Sequence, residues 1–271
     1  MTNCDGTDGQ CAHCSGGTPF EFSMAFQPIV NVAQRDIYAY EALVRGINGE
    51  SAFFILNQVT GELLYRFDQA CRVKAVELAS RLGMDRPLSI NFLPNAVYEP
   101  EACIKATLEV SERVGWPVDQ LIFEITETEK VRDRQHIKDI VDAYKEMGFT
   151  VALDDFGSGY ANLDLLTTLS PNKLKIDREL VMDCDQDFRR QSMLTALVTM
   201  GRCLDMELVA EGVETVTEAR WLMDAGIYLQ QGFFYARPAF EHIVRDLHEA
   251  FDAVHQAPAN RLTSISDFET P

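Results

Sequence analysis

Glu41, Asn91, Glu124, the pair Asp154 and Asp155, Lys175, Glu211 and Gln231 stand at or near the ends of short apolar runs in this chain. If those ends meet in space, five carboxylates crowd together and are driven toward their protonated forms unless a cation lies among them. No His or Cys stands at these ends. Oxygen-only ligation suits Mg²⁺, Mn²⁺ or Ca²⁺ and disfavours zinc or iron. Five acids and the amide oxygen of Asn91 exceed what one Mg²⁺ takes from protein, because that ion keeps several waters. Two ions roughly 3.5 to 4 Å apart and sharing one Asp would use the whole set, an arrangement that serves in-line displacement at phosphorus. Lys175 is the cation among the ends. It could orient or help deprotonate a metal-bound water and offset transition-state charge, or it could form a buried ion pair with Asp177 or another acid. The run DDFGSGY places Gly157 and Gly159 directly after two acids, which permits a tight loop there.

Such a set needs elements that bring it to one face. FSMAFQPIV, IYAYEALVR, PLSINFL, QLIFEITE, FTVALDDFG, KLKID, ELVAEGVE and LQQGFFYAR read as strands. Between or after them lie amphipathic stretches such as FDQACRVKAVELASRLG, RQHIKDIVDAYKEMGF and TVTEARWLMDAG, which read as helices ending on a glycine. Strand and helix in alternation give either an eight-stranded barrel or an open doubly wound sheet. An open sheet gathers its site at one switch point, whereas a barrel converges all its strand ends on one face. A ring of polar ends therefore favours the barrel.

The 271 residues are 46% apolar, enough to build a core, and carry 24 basic and 42 acidic side chains, a formal net charge of −18. This balance excludes polymeric nucleic acid held on a basic surface; a phosphate ligand would have to be neutralised by metals. No apolar stretch reaches membrane-spanning length, and the N-terminus has no signal-peptide pattern, so a cytoplasmic protein is expected. One domain is expected over 18–256, with flexible arms at 1–17 and 257–271. Cys71, Cys103, Cys184 and Cys203 lie in helical or apolar patterns and read as reduced core thiols. Cys4, Cys11, His13 and Cys14 have ligand types for zinc or an iron–sulfur centre, and equally suit an arm with reactive thiols.

EALVRG at 41–46, preceded by FQPIV and followed in order by INF, FEITE, DDFGSGY, KLKID, AEGVE and QGFFYARP, resembles the EAL-type cyclic di-GMP phosphodiesterases over nearly all of 20–245. The resemblance implies an α/β fold, a TIM-like (β/α)8 barrel with one antiparallel strand. It implies hydrolysis of cyclic di-GMP to linear pGpG with two Mg²⁺ or Mn²⁺ ions, Ca²⁺ being inhibitory, and a homodimer. By the same resemblance Glu41, Asn91, Glu124 and Asp154 hold one metal, and Asp154 bridges to a second held also by Asp155 and Glu211. Lys175 positions the attacking water, Gln231 lies near it, Glu127 steadies the DDFGSGY loop, and Gln27, Leu43 and Arg45 contact substrate. ANLDLL replaces the pair of serines more usual after DDFGSGY. Two other readings are a cyclic di-GMP-binding signalling module with little turnover and a barrel scaffold for a protein partner; loss of metal ligands would favour the first of these, and none is lost.

Overall fold

The computed structural model describes residues 18–61, 63–93, 100–126, 134–158 and 163–259. Its strands are β1 (Phe22–Asn31), β2 (Asp36–Gly46), β3 (Leu88–Phe92), β4 (Leu121–Thr126), β5 (Thr150–Phe156), β6 (Lys173–Ile176), β7 (Glu207–Ala210), β8 (Leu229–Gln230) and β9 (Ala239–Phe240). The helices are α1 (Ala52–Leu56), α2 (Leu64–Arg81), α3 (Pro100–Val114), α4 (Arg134–Glu146), α5 (Leu163–Leu169), α6 (Arg178–Val181), α7 (Phe188–Leu204), α8 (Val216–Ala225) and α9 (His248–Gln256). From β2 to β8 each strand pairs in parallel with the next, and β1 pairs antiparallel with both β2 and β8. The sheet is thus a closed eight-stranded α/β barrel whose one reversed strand is β1, with β9 added along β1.

Two apolar layers hold it. The larger lies outside the barrel wall, where helices cover outward side chains such as Phe92, Phe123 and Leu174. The smaller fills the lumen with Ile29, Ala39, Ile122, Ala152, Val209 and Leu229. Side chains two apart on a strand share a face, so this lumen layer fixes what stands next above it. Two residues beyond Ala39, Ile122, Ala152, Val209 and Leu229 come Glu41, Glu124, Asp154, Glu211 and Gln231. On β1, which runs the other way, Gln27 precedes Ile29 by two and faces Glu41 in register. Buried Ser89 and Lys173 stand two before Asn91 and Lys175. Lys173 is ion-paired with Glu207 and lies 4.7 Å from the centre of the Tyr38 ring.

Three expectations are corrected. The run LQQGFFYAR contributes only Leu229–Gln230 as strand, because the chain there passes against the loop after β7: a Cβ on Gly232 would lie 2.0 Å from the Val213 carbonyl oxygen. β2 continues five residues past Glu41, held by β1. Cys103 and Cys184 are buried and Cys71 partly so, but Cys203 is exposed on α7.

Ile122 is 2% exposed in the lumen layer. Ile122→Ala is expected to cost about 2–5 kcal/mol through lost transfer energy and a residual cavity, read by urea unfolding; a loss below about 1 kcal/mol would show that the lumen layer does not support the barrel in this way.

Candidate active site

The strand ends bring the polar set together at the C-terminal rim of the parallel strands, the face on which TIM-type barrels carry their sites. Lys175 is at the centre and is 2% exposed. Its Nζ lies 2.7 Å from Glu211 Oε1, 2.8 Å from Glu124 Oε2, 3.1 Å from Asp154 Oδ1 and 3.7 Å from Glu41 Oε2. Burial opposes the lysine's charge, but Asp154, Glu124, Glu211 and Glu41 outweigh it and hold the pKa well above the ordinary value. In the metal-free ring these carboxylates favour the ammonium form, which suits orientation and charge stabilisation.

Hydrogen bonds fix the remaining members. Ser89 donates to Glu124 Oε1 at 2.5 Å. Asn91 donates its amide to Glu41 Oε1 at 3.1 Å, which leaves its oxygen as the ligand atom. Gln231 donates to Glu41 Oε2 at 2.6 Å and to Gln27 Oε1 at 3.1 Å, and Gln27 donates to the Ala236 carbonyl at 2.9 Å. Both ends of this amide chain are obligate acceptors, so the orientation of each glutamine amide follows from them.

Asp154 and Asp155 are adjacent, and on a regular strand they would face opposite sides. The β5–β6 register shifts between Leu153 and Phe156, and Asp155 takes φ +59°. This bulge turns both carboxylates toward the site, where one oxygen each from Asp154, Asp155 and Glu211 lie within 4.8 Å of one another. Burial, then Asp154 and Asp177, push the Asp155 carboxyl up to about 6. Burial likewise pushes Glu124 and Glu211 well above the usual carboxylate range. One ammonium does not balance five carboxylates. The donor set is hard oxygen throughout, and its unbalanced charge fits divalent cations such as Mg²⁺ or Mn²⁺.

A cleft of about 390 Å³ opens over this ring, with Gln27, Glu41, Leu43, Glu211 and Gln231 in its wall. Asp177, Arg178, Glu214 and Phe233 also line it. Asp177, considered as an ion-pair partner of Lys175, lies in the wall while the lysine pairs with Glu41, Glu124, Asp154 and Glu211. Arg178, Glu214 and Phe233 are not among the anticipated residues, although Glu214 closes the motif AEGVE and Phe233 lies within QGFFYARP. Arg45 is not in that wall. It is partly buried, and its guanidinium donates to the neighbouring Val44 carbonyl at 2.7 Å. Among the described residues the cation lining the cleft is Arg178, paired with Glu214 at 2.9 Å. Glu127, Gly159 and Tyr160, like Cys4, Cys11, His13 and Cys14, lie outside the described residues.

A family model described as the EAL domain matches residues 18–238. The chain belongs to the EAL domain family. It is 46% identical to a stand-alone EAL protein from Vibrio cholerae O395 solved with c-di-GMP bound, with a TM-score of 0.84 over 87% of this chain and 99% of that one. BlrP1 from Klebsiella pneumoniae, solved with manganese and cyclic di-GMP, is 34% identical with a TM-score of 0.78 over 84% of this chain and 58% of its own. The cyclic di-GMP phosphodiesterase TpdA of Vibrio parahaemolyticus is 31% identical over 79% of this EAL chain and 37% of its own length. The curated relatives include longer proteins, of which the chain spans 58% in one and 28% in another. No helix among the described residues is long and apolar enough to cross a membrane.

Replacing Lys175 with Met removes the cation from a buried ring of acids. Lys175→Met is expected to lose about 3–5 kcal/mol in EDTA, because uncompensated buried charge is left behind, and to regain part of that on addition of Mn²⁺. Equal stability of variant and parent in EDTA would show that the lysine does not hold the ring.

Proposed function

We propose that this EAL domain is a divalent-metal-dependent phosphodiesterase that hydrolyses cyclic di-GMP to linear pGpG. The observation that carries the reading is the convergence of Asp154, Asp155 and Glu211 oxygens within 4.8 Å beside a buried Lys175. Each position the family uses for metal is filled by an oxygen donor, so no missing ligand argues for a module that only binds.

Glu41, Asn91, Glu124 and Asp154 would hold one Mg²⁺ or Mn²⁺, and Asp154, Asp155 and Glu211 a second. Bound there, such ions lower the pKa of water and neutralise charge on a phosphodiester. The chain's own residues do the rest. Lys175 offers an ammonium to the negative charge that grows on the phosphoryl oxygens. Gln231 keeps Glu41 turned into the ring through its 2.6 Å hydrogen bond. Gln27 and Leu43 form cleft wall against the nucleotide, and Arg178 supplies a guanidinium suited to a phosphate oxygen. Arg45 takes that role instead if its guanidinium leaves Val44. The product pGpG keeps a 5′-phosphate, so water oxygen bonds to phosphorus as the bond to the 3′-oxygen breaks, and the proton passes to that oxygen. Glu127 as the support of the DDFGSGY loop, a homodimer, Ca²⁺ inhibition and a cytoplasmic location belong to the same proposal.

Incubation with cyclic di-GMP, followed by chromatography, is expected to give pGpG with Mg²⁺ or Mn²⁺ and none with Ca²⁺ alone. Glu41→Ala and Glu211→Ala should each abolish turnover. Intact cyclic di-GMP at saturating concentration with either activating metal would overturn the proposal.

A further inference from the structure

One buried carboxylate near the site takes no part in the ring. Glu218 stands in the first turn of α8 and is 3% exposed. Thr215-x-x-Glu218 is a capping box: Thr215 Oγ1 accepts the Glu218 N–H at 3.2 Å, and Glu218 Oε2 accepts the Thr215 N–H at 3.0 Å. The box itself needs one oxygen of the glutamate. Here Oε2 also accepts the Glu214 N–H at 2.9 Å, and Oε1 reaches to the Asp183 N–H, also at 2.9 Å. Asp183 lies beyond α6 with φ +57°, a left-handed conformation that a non-glycine residue keeps only when its surroundings hold it.

These three N–H groups belong to two different segments. Asp183 lies on the segment that follows β6 and begins with Asp177 and Arg178. Glu214 and Thr215 close the segment after β7 that carries Glu211 and Gly212. Residues of both segments line the cleft. They also touch closely: a Cβ on Gly212 would lie 2.4 Å from Arg178 Cγ, and the Glu211 N–H donates to the Ile176 carbonyl at 3.0 Å. The Arg178–Glu214 pair joins them at the exposed rim, where each side chain is about half exposed and an ion pair contributes little. Glu218 joins them underneath, out of water, through charge-assisted hydrogen bonds that are much stronger.

We infer that Glu218 is a positioning residue that clamps the loops after β6 and β7 and so sets the place of Glu211 against Asp154 and Asp155. The inference rests on the reading of that trio as a metal site. A glutamine at 218 keeps one acceptor oxygen but turns an NH₂ toward backbone donors, so it weakens the clamp while preserving much of the cap.

Calorimetric titration of the full chain with Mn²⁺, without nucleotide, tests this. Glu218→Gln is expected to weaken Mn²⁺ binding about 10-fold, the lower end of the range for residues that orient metal ligands. Its turnover should need correspondingly more Mn²⁺ and recover at saturation. Thr215→Val removes the cap hydroxyl without touching the three carboxylate contacts, and is expected to lower Tm while binding Mn²⁺ like the parent. If Glu218→Gln, folded by circular dichroism, binds Mn²⁺ as tightly as the parent, or if Thr215→Val weakens it equally, Glu218 is only a cap. A parent chain that binds no Mn²⁺ overturns the metal reading itself, a result visible before any substitution.

Discussion

Four carboxylates, with Asp155 beside them, converge on one buried ammonium at the rim of the barrel, and the rest of the site follows from how that charge is held. Lys175 contacts Glu124, Asp154 and Glu211 within 3.1 Å, while Glu41 is restrained by Asn91 and Gln231. Carboxylates at such separation stay together only if hydrogen bonds and cations oppose their repulsion and desolvation. The ring has the first in Ser89, Asn91 and Gln231 and only part of the second in Lys175. A strong demand for further positive charge is therefore built into the fold. Divalent cations, which hard oxygen donors of this kind favour, would meet that demand.

Strand geometry turns this chemistry into a consequence of packing. A lumen filled by Ile122, Ala152, Val209 and Leu229 leaves the residues two positions on as the next layer, and in this chain those residues are polar. This part was legible in the sequence, because apolar runs ending in Glu, Asn, Asp, Lys or Gln show both the strand and the face. The Asp154–Asp155 pair was legible as two acids, but their common direction depends on a bulge whose register shift arises between strands. The run LQQGFFYAR points to Gln231 but exceeds the observed strand by seven residues, since the approach of Gly232 to Val213 is a contact between segments distant in sequence.

What the sequence did not reveal lies mostly in loops and in the layer beneath the ring. Arg178, Phe233 and Glu214 reach the cleft because loops after three different strands meet there. Ser89 matters through its bond to Glu124, a neighbour on the next strand. Glu218 carries no signal among the motifs read from the sequence, and its reach to Asp183 depends on how α8 sits against the loop after β6. Arg45 shows the converse: the motif places it at the site, while the side chain in this structure rests on its own strand.

In the proposed function the ring holds two divalent ions that share Asp154. Equilibrium dialysis against Mn²⁺ measures this directly. Two ions per chain in the parent, falling to one or none in a folded Asp154→Ala variant, is the predicted result. No saturable binding in the parent, or two ions retained after removal of Asp154, would contradict it.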